Sequence, residues 1–165
     1  MTAMATATTS RPPVDLYEAD FHAWCMQQAT LLRQRSRPGV NDGLDYENLA
    51  EEIESMGRSD RRSIKSHMRV LLCHLLKWRH QRARRTRSWE DSIFNARTAI
   101  ADLLKDSPSL QSYARDVIAE AYPLAVRDAS SLTRKAKLAF PATCPFSEAE
   151  ILDSDFLPPA FDVKT

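Results

Sequence analysis

Apolar positions recur at helical spacing along most of the chain. Between Asp20 and Arg35, the residues Phe21, Trp24, Gln28 and Leu31, with Cys25, Ala29 and Leu32 beside them, trace one buried stripe and predict a first helix. Ser36 to Gly43 interrupts that pattern with Pro38, Gly39 and the turn-prone Asn41-Asp42-Gly43. Asp45 is placed to cap a short second helix with Tyr46, Leu49, Ile53 and Met56 on its inner face. Gly57 is expected to end it, because glycine takes the left-handed cap at no steric cost. Ser59 then caps a third helix reaching about Gln81, with Ile64, Met68, Leu71, Leu75 and Trp78 along its inner line. Its stretch Val70–Leu76 is apolar nearly all round, the pattern of a helix surrounded by others.

A fourth helix is expected to open at Ser88-Trp89-Glu90-Asp91 in the manner of a capping box, burying Trp89, Ile93, Ile100, Leu103 and Leu104. Ser107-Pro108 starts a fifth, which carries Leu110, Tyr113, Val117, Ile118 and Ala121 and which Pro123 should kink or divide. Prolines recur after Phe140, yet Phe140, Phe146, Ile151, Phe156 and Leu157 are too apolar for a free linker. That tail is expected to pack across the bundle, with one short capped helix within Ser147–Asp153. The fold expected is all-α: a single-domain bundle of about five helices over residues 15–158, centred on the third. A disordered N-terminal tail at 1–14 and a C-terminal tail at 159–165 flank it.

Composition supports helix, since alanine and leucine number 38 among the 165 residues and valine and isoleucine only 12. The three glycines, Gly39, Gly43 and Gly57, cannot compose a dinucleotide fingerprint, a P-loop or a nucleophile elbow. Three dispersed cysteines form no disulfide framework and no C-x-x-C pair, which points to a reducing, cytoplasmic setting. No apolar run approaches the ~20 residues that span a bilayer, so no membrane role is expected.

The formal net charge of +1 hides a division: residues 1–57 sum to −5, residues 58–87 to +10 and residues 88–165 to −4. Arg58, Arg62, Lys65 and Arg69 share one line of the third helix, and Glu47, Glu51 and Glu54 form an acidic line on the second. With those helices antiparallel, an internal charge match accounts for both lines. The run from Lys77 to Arg87 holds six cations: Lys77, Arg79, Arg82, Arg84, Arg85 and Arg87. With Trp78 and Trp89 as a stacking face, they form a candidate nucleic-acid contact; as a solvated helix end, they complement the helix dipole. On either reading Arg84 and Arg85 are expected to contribute little to stability. His67 and His74 lie two turns apart, too far for one metal, and there is no Glu-x-x-His pair, so no metal or cofactor is expected. Glu51, Glu52 and Glu54, with His22 or His74, are the candidates for acid–base chemistry.

An ordered set of residues resembles the bacterial family catalogued as domain of unknown function 29. It runs through Asp20-Phe21, Asp45-Tyr46-Glu47-Asn48-Leu49, Glu51-Glu52-Ile53-Glu54, Gly57-Arg58-Ser59, His74-Leu75-Leu76-Lys77-Trp78, Arg87-Ser88-Trp89, Ser107-Pro108-Ser109-Leu110 and Ile151-Leu152-Asp153. The resemblance implies an all-helical bacterial protein and brings no catalytic residues. Its polar positions, Glu47, Asn48, Glu51, Glu52, Arg58, His74 and Lys77, are expected to flank one groove between the second and third helices. The reading that follows is a non-enzymatic module working through those helices, with a protein partner or a second copy. Nucleic-acid binding through residues 77–87 stands second. A small-ligand or metal-dependent enzyme in the groove stands third.

Overall fold

The computed structural model describes residues 15–36 and 42–160; the tail expected at 1–14, part of the turn expected around Pro38 and the end of the chain at 161–165 lie outside the described residues. Among the described residues six α-helices follow in order: α1 (Leu16–Ala19), α2 (Phe21–Arg35), α3 (Tyr46–His80), α4 (Arg87–Asp106), α5 (Gln111–Thr133) and α6 (Glu148–Leu152). No strand occurs among the described residues. Local chemistry starts several of them. The Asp20 carboxylate accepts from the Ala23 N–H at 2.8 Å and the Asp45 carboxylate from the Asn48 N–H at 3.1 Å. Ser147 and Glu150 complete a capping box on α6.

The second and third helices expected from the sequence are one. α3 runs 35 residues, about 52 Å at 1.5 Å per residue, straight through Gly57. Tertiary packing overrides glycine's weak helix propensity here. Gly57 is buried against α2, where a Cβ would sit 2.5 Å from the Met26 methyl and 3.1 Å from the Cys25 Cβ. The close approach needs a residue without a side chain. Two smaller expectations are also corrected. α4 opens at Arg87 behind an extended Thr86 that makes no side-chain cap, so Ser88 already lies inside the helix. Pro123 does not divide α5: it lies inside the helix, and both it and Ala119, whose carbonyl loses its helical donor, are exposed.

α3 is the spine. α2 lies antiparallel along its N-terminal half, where the His22 Nδ1–H donates to the Gly57 carbonyl at 3.0 Å. α4 and α5 cover its C-terminal half. Arg61 stacks over Tyr113, Lys65 pairs with Glu120, and Gln81 donates to the Thr133 carbonyl. The main core lies there: Ile64, Met68, Leu71, Leu72, Leu75 and Leu76 of α3 are fully buried against Ile93, Ile100, Val117 and Ala121. Each such aliphatic side chain contributes roughly 1.5–3 kcal/mol.

The proline-containing tail packs across this body through Phe140, Phe146 and Ile151. Arg97, only 5% exposed, donates from Nε to the Ile151 carbonyl at 2.8 Å and from Nη2 to the Glu150 carbonyl at 3.2 Å. Tyr122 donates to the Pro141 carbonyl at 2.7 Å.

Because the core cluster starts at Ile64, the earlier part of α3 and α2 form a two-helix arm with their own thin seam. A polar joint ties the arm to the body. The His22 N–H donates to Ser107 Oγ at 3.1 Å, Ser107 Oγ donates to Asp60 at 3.3 Å, and the Ser109 N–H donates to Asp20 at 2.6 Å.

Candidate interaction surface

The groove expected between two antiparallel helices does not exist, because its walls are consecutive parts of α3. Glu47 and Lys77 are 30 residues apart on one rod, about 45 Å by the helical rise. Glu52 and His74 are about 33 Å apart by the same measure, so the acid–base set Glu51, Glu52 and His74 does not converge. The polar candidates split into two groups. Glu47, Asn48, Glu51, Glu52 and Arg58 lie on the arm, and His74 and Lys77 lie on the body.

On the arm the charges satisfy one another. Arg58 reaches Glu54 at 2.9 Å and Glu51 at 3.3 Å, while Arg33 of α2 bonds to Glu54 from the other side. Those contacts hold the Glu54 carboxyl below the usual carboxylate range, with the Arg33 hydrogen bond as the main cause. Asn48 donates to its own cap, Asp45, at 2.6 Å. Of the cationic line expected to face these glutamates, Arg58 does so, whereas Lys65 and Arg69 turn to α5. Lys65 pairs with Glu120 at 2.7 Å, and Arg69 holds Asp128 with two bonds of 2.5 and 2.8 Å.

The basic run is equally divided. Lys77 is buried, with its ammonium 4.2 Å from the Trp89 ring centroid. Arg85 lies 4.7 Å over the Trp78 ring, and its Nε donates to the Trp78 carbonyl at 2.9 Å. Arg79 lies 5.8 Å from the Phe146 ring centroid. Arg82, Arg84 and Arg87 are exposed. Trp78, 7% exposed, offers no stacking face. Arg85 is therefore a structural group, contrary to the expectation that it resembles Arg84.

The arm has a second edge of different character. The Arg33–Glu54 bond fixes which edges of α2 and α3 lie together, and helical periodicity places Trp24, Gln28 and Leu31 with Leu49, Ile53 and Met56 on the opposite one. Leu49 and Met56, expected on the inner face, are 40% and 50% exposed. Ala50 and Gly57 occupy the seam instead, facing Cys25 and Ala29, since small residues let the two backbones come close. That exchange is the signal the sequence reading missed: the small residues at 50 and 57, seven apart, mark the contact line. Leu31 is 42% and Leu44 57% exposed. An open depression of about 610 Å³ at the arm's far end is lined by Leu31, Leu32, Arg35, Asp42 and Tyr46, among others.

Among the described residues no group of three or more His, Cys, Asp or Glu side chains is placed to hold a metal ion. Among them, too, no helix is long and apolar enough to cross a membrane.

The family profile of Domain of unknown function DUF29 matches residues 16–157. A solved structure, an alpha-helical protein of unknown function from Rhodospirillum rubrum, is similar at 29% identity and a TM-score of 0.68, over 85% of this chain and 90% of that one. No curated protein matches the sequence.

Proposed function

The chain belongs to the family described as Domain of unknown function DUF29, and we propose that it is a non-enzymatic interaction module whose working surface is the apolar edge of the α2–α3 arm. One observation carries the reading: four exposed large apolar side chains, Leu31, Leu44, Leu49 and Met56, lie on or at the end of this thin element. A two-helix layer buries only one seam, and two more helices complete a bundle. Soluble chains keep such contiguous apolar surface for contacts.

The partner we infer is a second copy. The arm's glutamates and arginines pair with each other on the far edge, so the apolar edge can face its own image without setting like charges together. Its rim carries Arg35 and Glu52, which are of opposite sign.

Analytical ultracentrifugation tests this reading. The wild type is expected to be a reversible dimer and the Leu49→Glu/Met56→Glu double variant a monomer of unchanged helicity. A wild type that stays monomeric across concentration sinks the reading. A double variant that still dimerises moves the contact elsewhere. The nucleic-acid reading rests on the exposed Arg82, Arg84 and Arg87 alone and stands second, because Trp78 is buried and Trp89 carries Lys77.

A further inference from the structure

The end of the body away from the arm carries positive charge from two parts of the chain. α3 and α5 finish side by side there, where the Gln81 side-chain amide donates to the Thr133 carbonyl at 3.3 Å. Each helix runs on into basic residues. Arg82 and Arg84 lie on the 3₁₀ turn after Gln81, closed by the Arg84 N–H on the Gln81 carbonyl at 2.9 Å, and Arg87 opens α4. On the other side Arg134, left-handed at φ 57°, ends α5, and Lys135 and Lys137 follow. The Lys135 N–H reaches Thr133 Oγ1 at 3.4 Å and its carbonyl accepts from Ser130 Oγ at 2.7 Å, so this segment folds back on the helix end. It also lies close to α3: the His80 ring meets that of Phe140 at 4.9 Å, and burial, then Arg79, then Lys135 hold His80 below the usual histidine range.

Arg82, Arg84, Arg87, Arg134, Lys135 and Lys137 are all exposed, and among the described residues none of the six is in an ion pair. Residues 78–89 and 129–147 contain no Asp or Glu. Of the acids that bound them, Asp128 is held by Arg69 and Glu148 by Arg115, while Glu90 sits in the first turn of α4, where the helix's own positive end attracts it. Helix dipoles account for little of the excess. Two C-termini offer about half a negative charge each, and the α4 N-terminus returns about half a positive one, so they balance less than about one cation.

The surroundings select the partner. Trp78 is 7% exposed and Trp89 carries Lys77, so a single strand finds no stacking platform. A protein partner or a bilayer needs an apolar centre, and between 82 and 87 and between 134 and 140 Leu138 alone of the large apolar side chains is exposed. Four of the six cations are arginines, whose planar fork matches phosphate oxygens. We propose that this end of the body docks on the phosphate backbone of duplex nucleic acid, without reading its sequence, through Arg82, Arg84 and Arg87 together with Arg134, Lys135 and Lys137. The inference deepens the nucleic-acid reading placed second above: it adds the cations of α5 and replaces stacking on a strand with backbone contact on a duplex. It is independent of the arm.

The probe is a fluorescein-labelled DNA duplex of mixed sequence, about 20 base pairs long, titrated with the full chain and followed by anisotropy between about 50 and 200 mM salt. Micromolar affinity at the low end is expected, with log Kd rising linearly with log salt, and a duplex of unrelated sequence should bind within about twofold. Each phosphate contact contributes about 0.9 to the slope. Lys135→Gln/Lys137→Gln should therefore lower it by about 2, and Arg82→Gln/Arg84→Gln by a similar amount. Arg62→Gln, an exposed arginine about 27 Å back from the end of α3, should leave it unchanged. No binding at low salt sinks both this inference and the reading it extends. A slope that responds to the arginine pair and not to the lysine pair overturns the two-helix site alone. Tighter binding of the matching single strand, or equally tight and equally lysine-dependent binding to phosphatidylserine vesicles, would each overturn the duplex assignment.

Discussion

Arg84 and Arg85 are neighbours of one chemistry and of different consequence. Arg84 ends a single 3₁₀ turn with its side chain exposed. Arg85 covers the Trp78 ring and donates to the Trp78 carbonyl at the end of α3, where the last carbonyls have no helical donor. It therefore closes the spine's C-terminus and shields a core tryptophan at once. Replacing Arg84 with alanine should change stability by no more than about 0.5 kcal/mol, the ordinary result for a surface position. Arg85→Ala should cost roughly 1–3 kcal/mol, the loss of a partly buried charged hydrogen bond and of its stacking. Chemical denaturation of the two variants decides it. Equal midpoints would show that the contact over Trp78 contributes nothing.

At the scale of elements, the tail depends on Arg97. Its guanidinium reaches the carbonyls of Glu150 and Ile151 in α6 and that of Ser154 just beyond, which supply acceptors but no countercharge. Burial accordingly holds it below the usual arginine range, while the nearby Asp153 and Asp155 carboxylates act the other way. Arg97→Met keeps the stem's volume and removes the donors. Limited proteolysis is then expected to cut between Pro141 and Pro158 several-fold faster while α3 stays intact. Unchanged cleavage would mean that Phe146 and Ile151 hold the tail without it. Nothing in the sequence announces this residue, because its partners are backbone groups more than 50 positions away that carry no side-chain signature. The caps at Asp45 and Ser147 were legible for the opposite reason: each bonds its own helix within three residues. Gly57 shows where a local rule fails. By itself it reads as a stop, and only Cys25 and Met26, brought up by α2, make it the middle of a helix. The candidate groove failed with it, since it needed a turn at that position.

For the whole molecule, one rod passes through two environments. From Ile64 to Trp78, α3 packs against α4, α5 and the tail; from Tyr46 to Gly57 it has α2 beside it and solvent around the rest. Opening a segment costs the apolar contacts it makes, so the free energy of local opening should fall along a single continuous helix. Native-state hydrogen exchange reads this directly. Amides at 64–78 should exchange only through global unfolding, whereas those at 47–56 should exchange at least about tenfold faster, a difference of about 1.4 kcal/mol in opening free energy. The break should fall near the joint of His22, Asp60 and Ser107, the last polar tie between arm and body. If two arms pack together, the gradient has a second property: it flattens as protein concentration rises, because association protects only the arm. In the Leu49→Glu/Met56→Glu variant it should stay steep at every concentration. Uniform protection along α3 in that monomeric variant would mean that the arm and body open as one unit, and that the arm's thin seam is as strong as the core it extends from.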